Sequence, residues 1–247
     1  MELSPVELDV VWRSQPFDEL PLIIDVPSPG GTRAERDALE AKVWAGLVER
    51  ELADDHGRPT AEVSGALGVI ARRSRALQLR MFGLDPLRAI LAVRGVRAVL
   101  AVLDTNFRLA KVSKIGLTGT LLSLVPELPA GPGHTITVPA ASLMAAAEAA
   151  TPARAWKTLS DHGVNRDDAR ILIGMATGSI RTGQIAAERR APNGRLTRSA
   201  RIVAFHDTPK GRYQTLRNAE HITVGPASRA ALARSVNELL TVDSQTK

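Results

Sequence analysis

The residue types best suited to catalysis or metal binding are scattered along this chain. Its five histidines are His56, His134, His162, His206 and His221. No two of them stand three or four apart, the spacing that puts two imidazoles on one helix face toward a metal. There is no cysteine, which removes thiolate chemistry and disulfides and suits a reducing compartment. His206 precedes Asp207 directly, but neighbours in a strand point to opposite faces, so this is not an orienting pair. No Gly-x-Ser-x-Gly elbow occurs, and Ser142, Ser160 and Ser179 have no base in register. Gly116-Leu117-Thr118-Gly119-Thr120 lacks the lysine and spacing of a phosphate loop, as does the Gly174, Gly178 pair. Glu148, Asp167, Asp168 and Glu188 form no pattern for paired acid–base work. The reading is a non-enzyme: no catalytic residue, no metal site, no cofactor.

Charge offers a second kind of chemistry. The chain carries 32 Lys and Arg against 26 Asp and Glu, a net +6. Residues 181–217 hold nine basic and two acidic residues, a local +7 that leaves the rest of the chain at −1. A basic segment of this kind makes nucleic-acid binding the alternative function. Against it, single-strand binders need aromatic platforms. Of eight aromatic residues only Phe205 and Tyr213 fall in the segment. Arginines on the wet face of a hairpin explain it equally well. The N-terminus has no basic stretch followed by an apolar run, and no apolar run approaches the ~20 residues of a membrane span. These features point to a cytoplasmic protein without membrane insertion.

The elements that must position any site are legible in outline. Val6, Leu8, Val10 and Trp12 recur at period two, which predicts a strand over residues 4–14. Thr32 and Glu35 form a capping box that opens a helix with Leu39, Val43 and Leu47 on one face. Val63, Leu67 and Ile70 predict a second helix. Leu77, Leu79 and Met81 begin a set of strands, continued by residues 87–93, 96–103 and 107–112. Helices are expected over 115–125, 139–150 and 152–162, with another capped by Asn165. Strands from 185 on precede a last helix, opened by Pro226, carrying Leu232, Val236, Leu239 and Leu240.

Part of this pattern recurs. Residues 95–109 and 200–213 each read as a basic residue, an apolar run, an Asp-Thr turn (Asp104-Thr105, Asp207-Thr208), then an arginine beside an aromatic. Each leads toward a Leu-rich helix, which predicts two like halves sharing one sheet. Short turns between consecutive strands make that sheet antiparallel and the class α+β. The long apolar strands fit either helices on both faces or one face left for a protein partner.

Several segments, in order, resemble the EspG family of type VII (ESX) secretion-associated proteins. Leu20-Pro21-Leu22, Val26-Pro27-Ser28 and the Gly31–Arg36 start are similar to the family's N-terminal region. Ala92-Val93-Arg94-Gly95-Val96-Arg97-Ala98-Val99-Leu100-Ala101 resembles its central hairpin. Gly133-His134-Thr135-Ile136-Thr137-Val138-Pro139 resembles its mid-chain Val-Pro segment. Gly183-Gln184, Phe205-His206-Asp207-Thr208 and Gly211-Arg212-Tyr213 resemble its second hairpin. The resemblance implies one domain over 1–247, with pseudo-symmetric halves at 1–126 and 127–247 and a central antiparallel sheet flanked by helical bundles. It implies a cytosolic chaperone that binds PE–PPE heterodimers at the apolar tip of PPE, and it leaves open a further partner in the secretion machinery. On that reading the partner-binding residues are Arg80, Phe82 and Leu84 near a turn, Arg97, Val99 and Ala101 on a strand, and Leu232, Val236 and Leu239 on the last helix. Both monomer and dimer remain open.

Overall fold

Ser4-Pro5-Val6-Glu7 decides how the chain begins, and it decides against a strand. In the computed structural model, which describes residues 1–242, the Ser4 hydroxyl accepts from the Glu7 N–H at 3.2 Å and the Glu7 carboxylate accepts from the Ser4 N–H at 2.7 Å. This capping box, with proline at the first helical position, starts helix α1 (Pro5–Arg13). Leu8, Val10, Val11 and Trp12 are all buried. A helix covered on most sides has no polar stripe, so its sequence imitates the alternation of a strand. Asp9 is buried among them and accepts from Arg13 Nε at 2.9 Å, Arg36 NH1 at 2.6 Å and the Ser28 hydroxyl at 3.0 Å. Burial pushes its carboxyl up, but these donors outweigh burial and hold it below the ordinary 3.8.

The remaining elements follow in a repeated order. A two-residue strand β1 (Glu2–Leu3) precedes α1. Then come α2 (Arg33–Glu49), whose Thr32–Glu35 capping box forms as expected, and α3 (Ala61–Ala71). Strands β2 (Arg75–Gly83), β3 (Leu87–Arg94), β4 (Arg97–Leu103) and β5 (Phe107–Val112) lead to α4 (Leu117–Leu122). The order one strand, three helices, four strands, one helix then occurs again. It runs through β6 (Ile136–Pro139), α5 (Ala140–Ala147), α6 (Pro152–Asp161), α7 (Arg166–Ala176) and β7 (Arg181–Arg190). It continues with β9 (Val203–Thr208), β10 (Gly211–Arg217), β11 (His221–Pro226) and α8 (Arg229–Val242). A short extra strand β8 (Leu196–Arg198) is the one addition. Pro226 ends β11 and does not open the last helix.

The repeat is real, but its register differs from the one expected. By element order β4–β5 corresponds to β10–β11, whereas the first Asp-Thr pair lies in the turn between β4 and β5 and the second is no turn but the end of β9, paired with Arg212 and Gly211, with Pro209-Lys210 turning into β10. The likeness of those two hairpins is therefore one strand out of step with the architecture.

The chain divides into two compact units, and each takes one strand end from the other half of the sequence. The first unit comprises Met1–Gln78, Leu87–Leu121 and Glu188–Thr197. Its strands run in the order β1-β5-β4-β3, antiparallel, with Leu3 opposite Phe107, Ala101 opposite Leu109 and Ile90 opposite Ala101. Helix α3 packs on β3 and β4, and the core gathers Leu8, Leu47, Leu67, Ile90 and Phe107. The end of β7 is fixed there: Arg190 donates from its backbone to Ser74 O at 2.7 Å and from Nε to Arg73 O at 3.0 Å. Arg73 in turn pairs with Glu188 at 2.8 Å.

The second unit comprises Leu79–Pro86, Leu122–Ala187 and, of the described residues, Arg198–Val242. Its strands run β7-β9-β10-β11-β6, again antiparallel, with Arg181 opposite Asp207, Tyr213 opposite His206 and Val224 opposite Ile136. Helices α7 and α8 lie on β9 and α5 on β11. Val138, Leu159, Leu172, Tyr213 and Val224 share its core, and burial raises the Tyr213 phenol above its ordinary 10.0. No helix among the described residues is long and apolar enough to cross a membrane.

Candidate partner-binding surface

Two of the residues expected to meet a partner stand out of the surface on the β2–β3 turn. Phe82 is 46% exposed and Leu84 54%, large for apolar side chains of an ordered segment. The turn that carries them is sterically defined. Gly83 has φ +84°, and a Cβ there would lie 2.4 Å from Ile180 O, so only glycine fits. Asp85 also has positive φ, 53°, which a non-glycine residue adopts at a cost. Proline at 86 closes the turn.

The turn is tied down by Ile180, just before β7, and Arg181, its first residue. The Leu84 N–H donates to Ile180 O at 3.0 Å, which sets Ile180, itself 43% exposed, beside Leu84. Sequence reasoning missed Ile180, because a single apolar residue after Gly178-Ser179 carries no periodic signal. Arg181, 4% exposed, donates from Nε to Leu84 O at 3.0 Å, from NH1 to Asp207 at 2.9 Å and from NH2 to Asp85 at 3.1 Å. Asp207 is fully buried and also accepts from Arg212 Nε at 2.7 Å and NH2 at 3.0 Å. Arg212 finally donates to Pro126 O at 2.9 Å and lies 4.9 Å over the Phe205 ring. Arg80 is half-buried and sits 6.0 Å from the Phe82 ring centroid, a cation at the patch edge.

The other expected residues lie elsewhere. Arg97 is exposed in the first unit, next to Val96 at the tip of the β3–β4 hairpin, which is 79% exposed. Both border a groove of about 390 Å³ between α3 and β4–β5. Val99 and Ala101 belong to the first unit's core. Leu232, Val236 and Leu239 are buried on α8. Strand alternation puts Val99 and Ala101 on the face that α3 covers, and the apolar stripe of α8 faces its own sheet. Those five hold the fold and offer no surface, so a charge at Val99 tests stability and not binding.

The basic segment is spent internally only in part. Arg181 and Arg212 are buried on Asp207, Arg190 caps carbonyls of Arg73 and Gly194, and Arg201 pairs with Glu238 at 3.8 Å. Removing the buried Arg181, Arg212 and Asp207 leaves residues 181–217 at +6, but Phe205 and Tyr213 are both buried, so the segment lacks the aromatic platform that the nucleic-acid alternative requires.

Comparison with known proteins agrees with this architecture. The EspG family model matches residues 4–238. No curated protein shows significant sequence similarity to the chain. Among solved structures, the chain is similar to the Mycobacterium tuberculosis type VII secretion system chaperone EspG5, solved in complex with the PE25-PPE41 dimer. The TM-score is 0.74 at 14% identity, over 97% of this chain and 95% of that one. The two share a fold.

Proposed function

Since the chain belongs to the EspG family, we propose that it is a cytosolic chaperone of type VII secretion that binds a PE–PPE heterodimer and keeps it soluble until export. It covers and releases its partner and transforms nothing. The observation that carries this reading is the turn with Phe82 and Leu84 displayed at its surface and Ile180 beside them. An apolar helical tip, such as the resemblance assigns to PPE, associates in water with a driving force of about 25 cal/mol per Å². A small apolar centre rimmed by Arg80 covers such a tip reversibly, and the rim charge speeds encounter with acidic partners.

The test is co-expression with a PE–PPE pair from the same genome, followed by gel filtration and calorimetry. A stoichiometric complex is expected. Phe82→Asp and Leu84→Asp should each weaken it at least about thirtyfold, the size of an interfacial hot spot, while leaving the melting temperature of the free protein within about 2 °C. A wild-type chain that elutes alone beside every such pair refutes the proposal.

A further inference from the structure

We infer that Arg181 is the positioning residue of the partner-binding turn, a reading that rests on the function proposed above. The three donor groups of its guanidinium are divided between a fixed point and a moving one. NH1 is held by Asp207, which is fully buried and already locked by two bonds from Arg212. Nε and NH2 reach the turn itself, at Leu84 O and the Asp85 carboxylate. Asp85 has an unfavourable positive φ, so the turn's conformation is maintained by what grips it. The Leu84–Ile180 backbone bond alone leaves the two residues free to rotate about it. With the planar fork in place both ends of the turn are fixed, and Leu84 is presented in one orientation. Pre-organisation of this kind improves affinity because less ordering remains to be done at binding.

Lysine keeps the charge opposite Asp207 but cannot span three acceptors, so Arg181→Lys isolates the fork from the ion pair. With a PE–PPE pair and calorimetry, R181K should weaken binding about five- to tenfold. Hydrogen exchange of the backbone amides at residues 82–85 should quicken in the free protein, and that of β9 and β10 should stay protected. Asp85→Asn keeps a residue that tolerates positive φ and removes only the carboxylate. It should weaken binding two- to threefold, and the double variant should bind no more weakly than R181K alone, because both changes break the same link. Wild-type affinity in R181K, or effects that add in the double variant, would overturn the inference. If R181K does not fold, D85N decides, and unchanged affinity there overturns it. If the wild-type chain binds no PE–PPE pair, the proposed function fails, and the exchange rates at 82–85 still decide whether Arg181 holds the turn.

Discussion

Removing the Asp207 carboxylate is the most direct test of how the second unit is held together. Asp207 is fully buried and accepts three side-chain bonds, one from Arg181 and two from Arg212, at 2.7 to 3.0 Å. Asp207→Ala leaves two guanidinium groups, 4% and 1% exposed, without their shared counter-charge. Breaking a buried ionic cluster by deleting one partner costs about 3–5 kcal/mol, because the surviving charges stay desolvated. At about 2.1 cal/mol/K of unfolding entropy per residue, 247 residues convert that to a fall in melting temperature of about 6–10 °C. The first unit supplies the control. Asp104 pairs with Arg108 across the β4–β5 turn, but the two side chains are 30% and 53% exposed. Such a pair is worth about 1 kcal/mol or less, and Asp104→Ala should lower the melting temperature by about 2 °C. Scanning calorimetry of the two variants beside the wild type reads the difference. Equal, small shifts would show that burial of the Asp207 cluster has no energetic consequence, and the reasoning would fall with them.

Two further predictions concern other parts of the fold. The native state holds the Asp9 carboxyl below its ordinary 3.8. Its stabilisation is therefore whole above that value and lost as pH falls through the lowered one. Asp9→Asn should be less stable than wild type at neutral pH and show a flatter loss below pH 4 in acid titrations followed by circular dichroism; parallel curves would contradict this. At Gly183 a Cβ would come within 2.1 Å of the Phe205 ring, so Gly183→Ala should cost about 1–3 kcal/mol by overpacking. Urea unfolding should show that loss, and a second change, Phe205→Leu, should recover part of it.

The sequence was most informative where a local pattern has one physical meaning. The Thr32–Glu35 box, the 3.6-residue spacing of Val63, Leu67 and Ile70, and the Arg94-Gly95 link between two apolar runs all form as expected. It misled where two structures share a pattern. Residues 6–12 alternate like a strand because a helix buried on most sides has no polar face, and the deciding signal was the Ser4–Glu7 box just upstream. The hairpin repeat misled in the same way. The Asp-Thr dipeptide occurs twice in the sequence, but Asp104-Thr105 lies between two strands whereas Asp207-Thr208 ends one, so matching residues occupy different positions of the repeated order. For the surface, Phe82 and Leu84 were legible beside a turn, but Ile180 and Arg181 were not, since their place there comes from pairing across about a hundred residues. Arginine clustering gave a net charge without revealing that Arg181 and Arg212 face inward.

The reciprocal trade of strand ends has a practical corollary for anyone dissecting this protein. Expressed from residue 127 onward, the polypeptide would keep Ile180 and Arg181 but lack Leu79–Pro86, the stretch they grip. Expressed up to residue 126, it would keep Arg73 and Ser74 but lack Glu188 and Arg190, their mates. Truncation at the midpoint therefore yields two polypeptides, each short of a stretch that belongs to the unit it mostly encodes.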